Sequence, residues 1–188
     1  MSYDRLDIIS VKNKIDKYLI NTPVLRFDFV DSLCNCEVFF KCENFQHTGS
    51  FKYRAALNAI KSIPNSYKKR GVITHSSGNF AHALSRAASE LNISCYIVMP
   101  SNTPDFKKMS VLKYTENIIE CKPTLEAREH MTKKVMSEKN LFFLHPSNNM
   151  DVILGNSTCA FEFFEENPNL DYIFSPVGGG GLIAGTCI

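Results

Sequence analysis

No apolar run in the 188-residue sequence approaches the ~18–20 residues that a bilayer-spanning helix needs, which argues against a helical membrane protein. The amino terminus, Met1-Ser2-Tyr3-Asp4-Arg5, carries charges and no hydrophobic leader segment, so a soluble, cytoplasmic protein is expected. An excess of one charge sign is missing too: the formal net charge is +2, acidic and basic residues are interspersed, and the one basic run is Lys68-Lys69-Arg70. A nucleic-acid-binding face is therefore not expected. Repeats and low-complexity segments are lacking. The seven cysteines are odd in number and include no CxxC pair, since Cys34-Asn35-Cys36 has the wrong spacing. Cys95, Cys121 and Cys159 sit in apolar runs, where cysteine behaves as a small hydrophobe rather than a disulfide half. The five histidines, at positions 47, 75, 82, 130 and 145, form no HxxxH or HExxH pair, which argues against a metal site built on one helix face.

What the sequence does contain is a regular alternation. A chain of this length buries about 70% of its unfolded surface and can hold one domain or two small lobes. Ile8, Val11, Ile15 and Leu19 recur at helical spacing from Asp4, with Ser2 and Asp4 as caps, until Asn21-Thr22-Pro23 stops the helix. Val38-Phe39-Phe40 reads as a strand, residues 43–49 as a polar loop, and residues 51–60 as a helix. Strands are then expected at Val72-Ile73-Thr74, residues 95–99, Ile118-Ile119, Leu141-Phe142-Phe143 and Tyr172-Ile173-Phe174. Helices are expected between them at 80–91, 106–114, 125–137 and 152–164. Short continuous apolar strands alternating with helices imply a parallel sheet built from crossovers, an α/β protein. The turn-rich segments 62–66 and 145–149 bound an expected small lobe at 71–145, leaving 1–70 and 146–188 to a larger one.

Three local patterns carry chemistry. Five of the nine glycines fall in the last eleven residues, as Gly178-Gly179-Gly180-Gly181 and Gly185, directly after the expected strand ending at Ser175. A glycine run that opens a helix exposes backbone N–H groups suited to an anion, typically phosphate. A mononucleotide loop is disfavoured because its lysine is missing. A dinucleotide fingerprint is formally met by Gly179-x-Gly181-x-x-Ala184, but no residues follow that could supply its acidic ribose contact. In Gly49-Ser50-Phe51-Lys52-Tyr53-Arg54, Ser50 is the expected N-cap, which places Lys52 in the first helical turn, where the dipole disfavours its protonation. His75-Ser76-Ser77-Gly78-Asn79 joins a strand to a helix and offers N–H donors suited to a carboxylate. A phosphate cradle, a lysine nucleophile and a carboxylate-binding turn are the parts that a pyridoxal-phosphate enzyme acting on an amino acid requires.

Four segments, in order, resemble the motifs of the serine racemase and serine/threonine dehydratase family of fold-type II pyridoxal-phosphate enzymes: Asn21 to Leu25, Phe39 to Arg54, His75 to Asn79 and Pro176 to Leu182. The resemblance implies two lobes with open, mostly parallel sheets flanked by helices. It implies that Lys52 holds pyridoxal 5'-phosphate as a Schiff base and acts as the base on one face of the substrate, and that Phe51 flanks the cofactor. By the same resemblance Asn79 bonds the ring's phenolic oxygen, Gly178, Gly179, Gly180 and Gly181 bind its phosphate, and Ser76, Ser77, Gly78 and Asn79 hold the carboxylate of serine or threonine. Ser77 stands where serine racemases carry the second proton-transferring group, whereas bacterial threonine dehydratases usually carry alanine; this tilts the expectation to a racemase with ammonia-lyase activity. The alternative is a catalytically impaired, cofactor-binding fragment or a regulatory partner of a full-length subunit. Departures from the family pattern are Ala55 for glycine, Phe80 for histidine, His82 for glutamine and Ser147 for asparagine. Family members continue beyond the glycine loop, where they supply the ligands of a bound Mg²⁺ and the group facing the pyridine nitrogen. The chain is accordingly expected to be C-terminally truncated, with an incomplete large lobe, and a homodimer is expected only of the complete protein.

Overall fold

The computed structural model describes residues 3–188. Helix α1 (Arg5–Ile15) starts at Asp4, whose carboxylate accepts from the amides of Leu6 at 2.8 Å and Asp7 at 3.3 Å, while Asp7 accepts from the Asp4 amide at 3.0 Å. This reciprocal capping box satisfies N–H groups that a helix start otherwise leaves unpaired. Asp4 thus serves as the expected cap; Ser2 lies outside the described residues. A 3₁₀ turn, Asp16–Tyr18, follows. Strand β1 (Val24–Arg26) and helix α2 (Asp28–Cys34), in a segment whose sequence reads only as a turn region, precede β2 (Phe39–Lys41); β1 and β2 pair antiparallel.

The stretch expected as a polar loop contains two 3₁₀ turns, Glu43–Phe45 and His47–Gly49, and leads into α3 (Lys52–Ser62). A short helix, α4 (Asn65–Lys68), connects to the alternating segment: β3 (Val72–His75), α5 (Asn79–Glu90), β4 (Cys95–Pro100), α6 (Asp105–Leu112), β5 (Ile118–Cys121), α7 (Leu125–Lys139) and β6 (Phe142–Phe143). These four strands form one parallel sheet in the order β5-β4-β3-β6. The protein is α/β, as the alternation predicts. Residues within the strands divide between two cores by parity, because successive side chains leave a strand on opposite faces. Val72, Cys95, Ile97 and Met99 pack with residues of α3 and α5, whereas Ile73, Val98 and Cys121 pack with Val135 of α7. With both faces covered, the strands read as unbroken apolar runs.

Helix α8 (Met150–Glu166) is capped by Asn149, which accepts from the Val152 amide at 3.0 Å, and α9 (Gly181–Thr186) follows the glycine run. Between them, the expected strand at Tyr172-Ile173-Phe174 does not form. Its composition suits a strand, yet no described strand pairs with it, and Tyr172 and Phe174 are 82% and 93% exposed. An extended segment becomes a strand only when a neighbour accepts its hydrogen bonds. Among the described residues all seven cysteines are free, with Cys95 and Cys121 buried. Burial pushes the Cys159 thiol up to about 12, consistent with a packing role. No described helix is long and apolar enough to cross a membrane.

Candidate active site

Lys52 is the first residue of α3 and is half-buried. Its Nζ donates to the Pro146 carbonyl at 2.9 Å and lies 5.2 Å from the Phe51 ring centroid and 5.9 Å from that of Phe80. The pKa of the amine lies below the ordinary lysine value, the direction expected from the helix dipole, but the cause is burial, since removal from water disfavours the charged form. Phe51 is thus beside the lysine. Phe80, an aromatic ring at a position where the family usually carries histidine, also lies near the amine.

Ser50 does not cap α3. Phe51 occupies the cap position with helical backbone angles, no side chain caps the helix, and the Ser50 hydroxyl is buried without a hydrogen-bond partner. The start of α3 is fixed by charge. Arg54, fully buried two residues after Lys52, donates to Glu43 from Nε and Nη2, both at 2.8 Å, and to Glu162 of α8 from Nη1 at 2.7 Å and Nη2 at 2.8 Å. Thr22 donates to Glu43 at 2.6 Å, and Lys41 lies 3.4 Å from Glu162. Burial by itself lowers the pKa of Arg54 and raises that of Glu162; the paired charges outweigh burial, so Arg54 ends above its ordinary value and Glu162 below. Bidentate pairing on both sides ties the first turn of α3 to the 43–45 turn and to α8. In the sequence Arg54 stands out only as part of a motif; Glu162, more than a hundred residues away, gives no local signal.

The turn 75–79 joins β3 to α5. The Ser76 amide donates to Val98 at 3.2 Å, and the Ser76 hydroxyl accepts from the Gly78 amide at 3.4 Å. Ser77 and Gly78 are half-buried, and Asn79, the first residue of α5, is exposed. Gly78 occupies the cap position and no side chain caps α5, which leaves first-turn N–H groups able to meet an anion. Phe80, next to Asn79, links this turn to Lys52.

The glycine run packs against residue 147. A Cβ at Gly179 would lie 2.5 Å from the Ser147 Oγ, and one at Gly181 would lie 3.1 Å from the Ser147 carbonyl and 3.3 Å from Asn156 Nδ2. Gly180 has φ +82°, a conformation that other residues rarely adopt. At Gly178 and Gly180 a Cβ would meet nothing within 4 Å, so one side of the loop is open. Asn156 is fully buried, and both ends of its amide lack partners. The segment 145–148 connects the two halves of the arrangement, with Pro146 on Lys52 and Ser147 against the glycines. In the sequence it reads only as a break between lobes and as a departure at Ser147. Among the described residues no group of three or more His, Cys, Asp or Glu side chains could hold a metal ion. A cavity of about 780 Å³ bounded by Arg5, Phe161, Phe164 and Ile188 contains none of the predicted site residues.

These features suit pyridoxal phosphate: an amine whose protonation burial disfavours, a glycine loop that is open at 178 and 180 and packed at 179 too closely on Ser147 for a side chain, and buried polar groups at Ser50 and Asn156 that lack partners. Residues 15–188 match the family model described as pyridoxal-phosphate dependent enzyme. The chain belongs to this family. It is 44% identical over 182 residues to the serine racemase of Dictyostelium discoideum, covering 97% of this chain and 56% of the relative; the crystal structure of that enzyme superposes with a TM-score of 0.92, over 97% of this chain and 59% of that one. The β-hydroxyaspartate dehydratase of Paracoccus denitrificans is 42% identical, over 97% of this chain and 58% of the relative. The crystal structure of a T.th. threonine deaminase superposes with a TM-score of 0.88 at 30% identity, over 98% of this chain and 59% of that one. The chain therefore spans a little over half the length of these relatives.

Proposed function

We propose that this chain carries the cofactor-attachment half of a pyridoxal-phosphate-dependent serine racemase with L-serine and L-threonine ammonia-lyase activity. The observation that carries the reading is the placement of Lys52: a half-buried amine at the start of α3, with lowered basicity, joined through residues 146–147 to an open glycine loop. In this reading Lys52 holds the cofactor and exchanges a proton at one face of the substrate Cα. Phe51 packs beside the cofactor, Asn79 bonds its ring oxygen, and the amides of Gly178, Gly179, Gly180 and Gly181 bind its phosphate. The turn at Ser76, Ser77, Gly78 and Asn79 binds the carboxylate of a small amino acid, and the Ser77 hydroxyl delivers or removes the proton on the opposite face. When bound, the cofactor supplies an electron sink that makes the Cα proton removable. Residues 71–145 then form the small lobe, residues 1–70 and 146–188 belong to the larger one, and the complete enzyme is a cytoplasmic homodimer.

The test is direct. Pyridoxal phosphate added to the protein is expected to give a visible absorption band, and borohydride is expected to fix the cofactor mass onto Lys52; Lys52→Ala is expected to abolish both. With L-serine, pyruvate and D-serine are measured separately. Ser77→Ala is expected to remove D-serine formation selectively, and intact D-serine formation in that variant overturns the assignment of Ser77. A band without either product favours the cofactor-binding, inactive reading.

A further inference from the structure

His145 follows β6 and is half-buried at the junction between Lys52 and the glycine loop. Its ring nitrogen Nδ1 accepts two backbone hydrogen bonds, from the amides of Ser147 at 3.1 Å and Asn148 at 2.7 Å. Only an unprotonated Nδ1 can accept, so this geometry selects the neutral ring with its proton on Nε2. The two bonds close a turn whose intervening residues do the joining. The Pro146 carbonyl accepts from Lys52 at 2.9 Å, and Ser147 lies where a Cβ on Gly179 would collide with it.

We propose that His145 is a positioning residue: its neutral ring ties down the amides of Ser147 and Asn148, so that Pro146 holds the Lys52 amine and Ser147 backs the glycine loop. The proposal rests on the reading of Lys52 and of this loop as the cofactor site. The groups around the ring favour the neutral form. His75 of β3 stands edge-on at 5.6 Å between centroids, and Phe143 of β6 does so at 6.1 Å. Burial and the Lys52 charge from α3 lower the pKa of His145, opposed by Glu129 from α7; His75, itself near Arg128 and Glu129, is lowered as well, first by burial and then by His145. Acid is therefore expected to release the turn and loosen the amine and the loop together.

The ring-nitrogen NMR spectrum of the unmodified protein reads the tautomer. The Nε2–H form is expected for His145 at neutral pH, and the Nδ1–H form overturns the proposal. His145→Asn places a side-chain oxygen near the position of Nδ1, whereas His145→Ala removes the acceptor. At neutral pH His145→Ala is expected to bind pyridoxal phosphate roughly tenfold more weakly and His145→Asn within about threefold of the parent, the scale set by donors left without an acceptor. The parent is expected to lose affinity once the pH falls beneath the ordinary histidine range, and His145→Asn to lose less. Coincident pH profiles for the two proteins overturn the proposal, as does equal affinity of the two variants. If the parent takes up no cofactor, the functional reading fails, while the tautomer and the exchange rates of the Ser147 and Asn148 amides still decide the role of His145. Faster exchange in His145→Ala alone supports it, and unchanged exchange overturns it.

Discussion

The strands at 72–143 and the stretch at 172–177 are written in the same apolar residues, yet they end in opposite states. Val72, Ile73, Ile97 and Val98 are fully buried in a parallel sheet with helices over both faces. Tyr172, Phe174 and Val177 belong to no strand and are 67–93% exposed. An apolar, strand-forming composition is thus not sufficient here and pairing decides, because an extended chain without a neighbour gains no ladder hydrogen bonds and buries little of its side chains. Outside both regions, the buried cluster of Arg54 with Glu43 and Glu162 is held by charge pairing rather than by burial shared among sheet neighbours.

Breaking the ion cluster is expected to have the largest effect. Arg54→Met leaves Glu43 and Glu162 in a buried pocket without their guanidinium, and a loss of about 3–5 kcal/mol is expected in urea unfolding. Ile97→Ala in the sheet core is expected to cost about 2–5 kcal/mol, with the cavity adding to the lost burial. Phe174→Ser, in the segment with no strand partner, is expected to change stability by less than about 0.5 kcal/mol. Similar losses at positions 97 and 174 would erase the distinction between the two regions. A smaller effect is expected from pH. His47, His75, His82 and His145 are all lowered chiefly by burial, so the unfolded chain takes up protons first as acid is added. The contribution of these histidines is then complete above about pH 6.5 and is lost as the pH falls through the lowered folded values. Thermal melts between pH 7.5 and 5 measure this decline, and a flat profile would remove the histidines from the balance.

Much of the fold is legible in the chain because local rules and tertiary packing agree there. Asp4, Thr124 and Asn149 cap their helices by short-range hydrogen bonds, and the left-handed residues Asn92 and Asn140 follow the helices ending at Glu90 and Lys139. Lys52, the 75–79 turn and the glycine run are equally visible, since each is a continuous motif. Other features carry no such mark. β1 is three residues long and gains its identity from β2; Ser50 is a good cap by residue type but has an unpartnered hydroxyl; Glu162 meets Arg54 from 108 positions away.

The sequence by itself determined the alternation of strands and helices over 72–143, the cap at Asp4, and the motifs of a pyridoxal-phosphate dependent enzyme, because these depend on side-chain chemistry over a few neighbouring residues. Only the tertiary structure decided which apolar runs became strands, which carboxylates meet Arg54, and that His145 stands between the lysine and the glycine loop. Those outcomes depend on groups distant in sequence arriving at hydrogen-bonding distance in a space closed to water, where each unpaired polar group is costly and each satisfied one fixes its neighbours.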